Sequence, residues 1–309
     1  MRILEGLPSF PAELAPSVVA LGAFDGIHLA HARIVVTAVE RARSLGVTSV
    51  VCTFEPNPAM VLRPDRAPEP ISTLGENLAR IRELGPDATL IIPFTPEFSK
   101  IEAEVFVDEV LCRTLGAREV VVGFNHTFGR GARGTASLLE ALGHRRGFAV
   151  RVLPPLQVND RIVSSSAIRE ALREGDVELA RALLGRPYAV RGTVLRGAGR
   201  GRTLGFPTAN LRPEHPLILA PGVYAAHAAW EGTRARAVVN VGYRPTFGEH
   251  QYWIETYVFD FSGDLYDRRF TVEFEHKIRA EMKFSDVEAL KRQVALDMEA
   301  ARRALEGSG

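Results

Sequence analysis

Cysteine is almost absent: the 309 residues contain two, Cys52 and Cys112, in no metal-ligand spacing. Neither a disulfide framework nor a zinc site is suggested. An excess of one charge is also missing, since 38 Lys and Arg face 37 Asp and Glu for a net charge of +1. That balance argues against a dedicated nucleic-acid or membrane-surface binder, although a local basic groove can still take phosphates. No apolar run approaches the roughly 18 residues of a membrane span, and the opening MRILEGLPSFPAEL lacks the apolar stretch of a secretory signal. The P-loop string G-x-x-x-x-G-K-[ST] does not occur, nor does an internal repeat or low-complexity tract. What is present is 46% hydrophobic and 24% charged residues, the make-up of a globular chain able to bury a core. The length suits roughly two domains. A cytoplasmic protein with no nucleic-acid and no membrane partner is expected.

The periodicity changes part-way along the chain. Up to about Gly185, the apolar runs SVVALGAF, TSVVCTF, ATLIIPF, REVVVGF and FAVRVLP alternate with helix-length stretches. Among the latter are HARIVVTAVERARSLG, GENLARIREL, EAEVFVDEVLCRTLG and TASLLEALGHRRG. Continuous apolar strands alternating with helices predict a doubly wound α/β domain, with a parallel sheet covered on both faces and ligands at the strands' carboxyl ends. SSSAIREALREGDVELARALLGRPY reads as two short helices stopped by Gly185 and Pro187. The period then becomes two, in YAVRGTVLR, GVYAAHAAW, ARAVVNVG, WIETYVFDF and RFTVEFEHKI, which predicts a small antiparallel barrel or sandwich. A tail helix over residues 285–306 packs on that second unit. The expected domains are 1–185 and 186–309.

Several segments carry candidate chemistry. In GAFDGIHLAH, His28 and His31 lie three apart where the first apolar strand gives way to a helix. A helix amino terminus attracts anions, so both imidazoles can donate to one phosphate; the plain alternative is an ordinary helix start. In RIVSSSAIRE, Ser164, Ser165 and Ser166 read as helix caps and Arg169 follows one turn in, either holding a phosphate chain or lying on the surface. GFNHTFGRGARG is either a ligand loop or a flexible glycine loop. GRGRTLGFPTANL, residues 199–211, combines basic and glycine residues with Thr208 and Asn210, two oxygen ligands suited to a hard cation. In YWIETYVFDF, Glu255 shares a strand face with Tyr257 and Phe259, as an edge charge or as a poised base.

Taken together, these strings resemble the prokaryotic bifunctional riboflavin kinase/FMN adenylyltransferase (FAD synthetase) family. VVALGAFDGIHLAH, TFEPNP, VVVGFNHTFGRG and the Ser-rich helix start match its nucleotidyltransferase module. GRTLGFPTANL, GVYA, VGYRPTFG, DFSGDLYDRRFTVEF and IRAEMKF match its kinase module in order. The resemblance implies an α/β nucleotidyltransferase domain followed by a riboflavin kinase β-barrel with a C-terminal helix. It also implies ATP-dependent conversion of riboflavin to FMN, then adenylylation of FMN to FAD with release of pyrophosphate. Mg²⁺ is the implied cofactor, and ATP, riboflavin and FMN the partners. In the kinase module Glu255 would be the base, Thr208 and Asn210 the Mg²⁺ ligands, Gly205 and Thr208 part of the ATP site, and Phe206 and Arg279 part of the flavin site. In the transferase module His28 and His31 would stabilise phosphates, Asn125 would position reactants, and Arg161, Ser164, Ser165 and Arg169 would hold the triphosphate.

Four positions depart from the family pattern. Ala30 replaces the glycine of His-x-Gly-His, Ala23 an asparagine, Asn57 the histidine of EPHP and Asp267 a glycine, which suggests a changed turn. Three fall in the transferase module, so the alternative is a riboflavin kinase with a weak or inactive adenylyltransferase half.

Overall fold

The structure is a computed structural model that describes residues 1–196, 206–246 and 249–307. Its contacts divide the chain into two units, Met1–Ser164 and Ser165–Gly309.

The first unit opens with β1 (Arg2–Glu5), β2 (Ser17–Leu21), α1 (Leu29–Leu45), β3 (Thr48–Glu55), α2 (Pro58–Leu62), α3 (Leu74–Glu83) and β4 (Ala88–Pro93). It continues with α4 (Ala103–Phe106), which runs on as a π-helical stretch Val107–Thr114, and β5 (Ala117–Gly123). Then come β6 (Thr127–Phe128), β7 (Gly134–Thr135), α5 (Ala136–Arg146), β8 (Ala149–Leu153), β9 (Gln157–Val158) and β10 (Arg161–Ile162). Six strands pair in parallel in the order β1-β4-β3-β2-β5-β8. All five residues of β2 are buried, as a strand covered on both faces requires. One face packs on α1 and Ile81, the other on the 103–115 helix and α5.

Local signals explain the helix ends. Thr73 and Glu76 form a reciprocal capping box on α3, and Gly46 ends α1 in the left-handed region at φ 65°. A charge inside the apolar β5 also has a reason. Glu119 is buried, and Arg41 and Arg151 each hold one of its carboxylate oxygens at 2.9 and 2.8 Å. Strand order reverses between β2 and β5, and an α/β sheet opens a crevice at that point beyond the strands' carboxyl ends.

The second unit comprises α6 (Ser165–Glu174), α7 (Val177–Leu184), β11 (Tyr188–Leu195), β12 (Ala209–Pro213), β13 (Gly222–Trp230), β14 (Thr233–Thr246), β15 (Glu249–Val258), β16 (Arg269–Ala280) and α8 (Val287–Ala304). Its six strands close into an antiparallel barrel, β11-β12-β15-β14-β13-β16, which decides between barrel and sandwich. Burial alternates strictly along β11, but β13 is buried on both sides because α8 covers the barrel's outer face. There Val223, Ala225, Val238 and Phe259 pack with Ala301 and Leu305 of the helix. The α6–α7 pair belongs to this unit through Arg181 to Glu275, His276 to Glu178 and Lys277 Nζ to the Glu174 carbonyl.

Two strands of the six-stranded sheet and the barrel have no counterpart in the periodicity. β1 is a four-residue edge. β12 emerges from what reads as a glycine-rich loop and pairs with β11 and β15.

Candidate active sites

In the first unit the turn after β2 is held in an unusual shape. Phe24, Gly26 and Ile27 have φ of 47°, 83° and 35°. A β-branched residue at positive φ costs of order 1–3 kcal/mol and persists only where its surroundings enforce it. The surroundings do so here. Phe24 is fully buried, Ile71 N–H donates to the Asp25 carboxylate at 3.1 Å, and Gly26 N–H donates to Asn77 Oδ1 at 3.0 Å. A Cβ on Gly26 would press on Ile71 at 3.0 Å.

This turn delivers His28 to the N-cap of α1. Its Nδ1 accepts from the His31 backbone N–H at 3.2 Å, so a neutral His28 carries its proton on Nε2. The His28 and His31 rings stack at 3.6 Å, and Phe24 meets His31 edge-on. Burial first, and the adjacent His28 charge second, hold His31 well below the usual histidine range. Its Nδ1 is enclosed without a hydrogen-bond partner among the described residues. His31 is therefore held neutral, an imidazole whose basicity an anion would raise.

Asn125 follows β5, on the other side of the crevice. The glycine string around it is an ordered hairpin, which corrects the flexible-loop alternative. β6 pairs with β7, Arg130 N–H donates to the Ile101 carbonyl at 2.7 Å, and a Cβ on Gly129 would strike the Ala103 backbone at 2.8 Å. His126 stacks on Phe128, and its enclosed Nε2 has no partner among the described residues. Burial alone lowers its pKa to about 4.

Two features here were not anticipated from the sequence. A cavity of about 200 Å³ between the ends of β2 and β3 is lined by Asp25, Glu55, Asn57, Ser72 and Asn77, among others. A row of ring contacts joins Phe54, Phe94, Phe98, Phe106 and Phe128 along the ends of β3, β4 and β5. The signal for part of that row was an aromatic residue at or just past β3 and β4, as in TFEPNP and PFTPEF.

Arg161 is exposed on β10 and Ser164 closes the first unit. Ser165 opens α6 of the second unit, where Arg169 is 7% exposed.

In the second unit the short strand β12 creates the site. Asn210 lies directly opposite Glu255 of β15, and Asn240 of β14 lies opposite Glu255 on its other side. Trp253, two residues before Glu255, shares its face. The Trp253 indole N–H donates to both Asn210 Oδ1 and Glu255 Oε1, each at 2.9 Å. Along β15 Ile254, Thr256 and Val258 are buried, whereas Trp253, Glu255 and Tyr257 line a cavity of about 420 Å³. Its other walls include Phe206, Thr208, Arg279 and residues of α8. That volume is in the range of small-molecule and cofactor sites. Arg279 is fixed by a bidentate pair to the buried Asp297 of α8, Nε to Oδ1 at 2.9 Å and Nη2 to Oδ2 at 2.7 Å. Glu255 thus lies on the barrel's outer face, beneath α8. Gly205 lies outside the described residues.

A family model described as FAD synthetase matches residues 10–167, and one described as riboflavin kinase matches residues 184–305. The chain belongs to the bifunctional riboflavin kinase/FMN adenylyltransferase family. Its Bacillus subtilis member is 38% identical over 94% of this chain and 93% of its own. The Pseudomonas fluorescens member is 37% identical over 98% and 97%. A solved structure titled a macrolide-efflux protein from Streptococcus pneumoniae superposes with a TM-score of 0.88 at 31% identity, covering 98% of this chain and 99% of that one. No helix among the described residues is long and apolar enough to cross a membrane.

Both family modules are present, which supports the two-activity reading over a kinase with a silent partner domain. Two departures from the family pattern also have local explanations. Asn57 caps α2, accepting from Ala59 N–H at 3.0 Å. Asp267 sits at φ 63°, the left-handed conformation a glycine would favour and aspartate tolerates.

The oxygen chemistry around β12 suits a hard divalent cation: the Asn210 and Glu255 side-chain oxygens lie side by side on the shared Trp253 N–H, and Thr208 lines the same cavity as Glu255. His227, Glu273 and Glu275 also cluster. There Arg181 and Arg234 engage the carboxylates, and His227 Nδ1 contacts Glu275, which makes an ion-pair network.

Proposed function

We propose that this chain makes FAD from riboflavin in two ATP-dependent steps, with residues 186–309 as the kinase and residues 1–185 as the adenylyltransferase. The observation that carries the kinase assignment is the register that sets Asn210, Glu255 and Trp253 in one hydrogen-bonded cluster at the wall of the larger cavity.

In the first step the riboflavin 5′-hydroxyl oxygen bonds to the γ-phosphorus of ATP, the bond to ADP breaks, and Glu255 takes the hydroxyl proton. Thr208 and Asn210 would hold Mg²⁺, which when bound supplies charge neutralisation for the phosphate chain. Phosphoryl transfer asks the protein mainly for alignment. Phe206 and the Asp297-fixed Arg279 provide it by holding the flavin at the cavity wall, and Gly205 belongs to the ATP side. In the second step a phosphate oxygen of FMN bonds to the α-phosphorus of another ATP and pyrophosphate leaves. His28 and His31 donate to the phosphoryl oxygens as charge develops. Asn125 orients the reactants across the crevice, with Arg161 and Ser164 on the triphosphate. Phe54, which lines the cavity at the ends of β2 and β3, offers an apolar contact for the isoalloxazine. Dependence on ATP, together with two free cysteines, favours a cytoplasmic location.

Product chromatography tests the whole reading, with one tube given riboflavin, ATP and Mg²⁺ and a second given FMN in place of riboflavin. FAD in both is expected. FMN accumulating in the first and nothing new in the second would refute the adenylyltransferase half.

A further inference from the structure

Trp253 is not among the residues that the family resemblance assigns, yet it touches two that are. An indole has one N–H, and here two acceptors share it: the side-chain carbonyl oxygen of Asn210 and a carboxylate oxygen of Glu255, both at 2.9 Å. The backbone makes this sharing possible. Asn210 and Glu255 are register partners on neighbouring strands, and Trp253 precedes Glu255 by two residues on the same strand face. Across β14 the residue opposite Trp253 is Gly242. A Cβ on Gly242 would approach Glu281 Oε1 to 2.8 Å, so the wall beside the indole is already closely occupied. Two oxygens that bear negative charge or partial charge repel when brought to one point. A shared donor offsets that repulsion without adding a positive charge that would compete with a cation.

We propose that Trp253 is a positioning residue for the kinase reaction: its single indole N–H clamps the Asn210 carbonyl oxygen and the Glu255 carboxylate together, so that the base and the neighbouring oxygen ligand are aligned before substrate arrives. The inference rests on the kinase reading of Glu255 and adds a residue to it. Its effect belongs to kcat, because the N–H orients reacting groups, whereas the ring that lines the cavity beside Phe206 and Arg279 is largely kept in a phenylalanine.

Trp253→Phe keeps an aromatic ring and removes the donor. Riboflavin phosphorylation is expected to lose about tenfold or more in kcat, with the riboflavin KM within about threefold of the parent. FMN adenylylation should be unchanged. Trp253→His, which restores a ring N–H, should recover part of the loss. A second readout needs no turnover. The parent has two tryptophans, so ¹⁵N-indole labelling gives two Nε1–H resonances, of which Trp253→Phe deletes one. That resonance should move in Glu255→Ala and in Asn210→Ala, while the Trp230 resonance stays. A Trp253→Phe enzyme with parental kcat, or a Trp253 resonance indifferent to both truncations, overturns the proposal. If Glu255→Gln retains full kinase activity, the assignment of the base fails and the clamp fails with it. A dead Glu255→Gln beside a fully active Trp253→Phe defeats the clamp alone. Should Trp253→Phe fold poorly, the indole resonance in Glu255→Ala and Asn210→Ala still decides.

Discussion

His126, half-buried with its Nε2 enclosed, makes the first unit sensitive to acid, and the effect has a definite sign and size. Its pKa is lowered from 6.5 to about 4 by burial, whereas in the unfolded chain it returns to the ordinary value. Below pH 6.5 the unfolded state therefore binds the proton first, and stability falls as pH falls toward the folded pKa. At about 1.4 kcal/mol per pKa unit, the loss between pH 7.5 and pH 5 is about 2 kcal/mol, and it levels off near 3 kcal/mol below pH 4. His126→Phe keeps a flat ring against Phe128 and removes the titrating group. Both tryptophans, Trp230 and Trp253, lie in the second unit, so indole emission follows the barrel, while far-UV circular dichroism also follows the first unit. Thermal melts at pH 7.5 and 5 should show the parent's first-unit transition falling more than the variant's, by about 4–8 °C. His31, shifted in the same direction, will leave some pH dependence in the variant. Parent and variant losing the same stability between the two pH values would refute the reasoning, because it would mean His126 is protonated equally in both states.

Three further substitutions separate the parts of the account. Glu255→Gln should lower riboflavin phosphorylation by about 10²–10⁴-fold and leave FMN adenylylation intact, read by product chromatography from each flavin. His28→Ala combined with His31→Ala should do the reverse, in the same assay. Asp297→Ala leaves Arg279 without its bidentate partner. It should destabilise the second unit by about 3 kcal/mol, seen in a urea melt followed by tryptophan emission, and raise the riboflavin KM.

How much of this was legible in the sequence differs between the two halves. The parallel sheet followed from uninterrupted apolar runs, and the barrel strands from alternation, because both patterns are local. β12 was not legible. Its five residues follow Gly-Phe-Pro-Thr and pair with strands far away in the chain, so only long-range pairing identifies them as a strand. For the same reason Thr208 and Asn210 could be singled out as oxygen ligands, but the pairing of Asn210 with Glu255 could not. Period two placed Glu255 on one face with Tyr257 and Phe259, yet gave no hint that the single N–H of Trp253 serves two acceptors across strands. The Arg279–Asp297 pair joins β16 to α8 over 18 residues and had no sequence signature. In the first unit the histidine pair was visible from its spacing. The positive-φ turn that buries His28 was not, since Phe24 and Ile27 are residues that normally avoid that conformation.

The central claim is that one chain carries two separable ATP-dependent sites. Mixing tests it most directly: Glu255→Gln and the His28→Ala/His31→Ala variant are each given riboflavin, ATP and Mg²⁺, alone and together, and FAD is measured by chromatography. The account predicts riboflavin left unconverted by the first variant, FMN accumulating with the second, and FAD appearing when both are in one tube. FAD formed by either variant alone, or loss of both activities in either one, would contradict it.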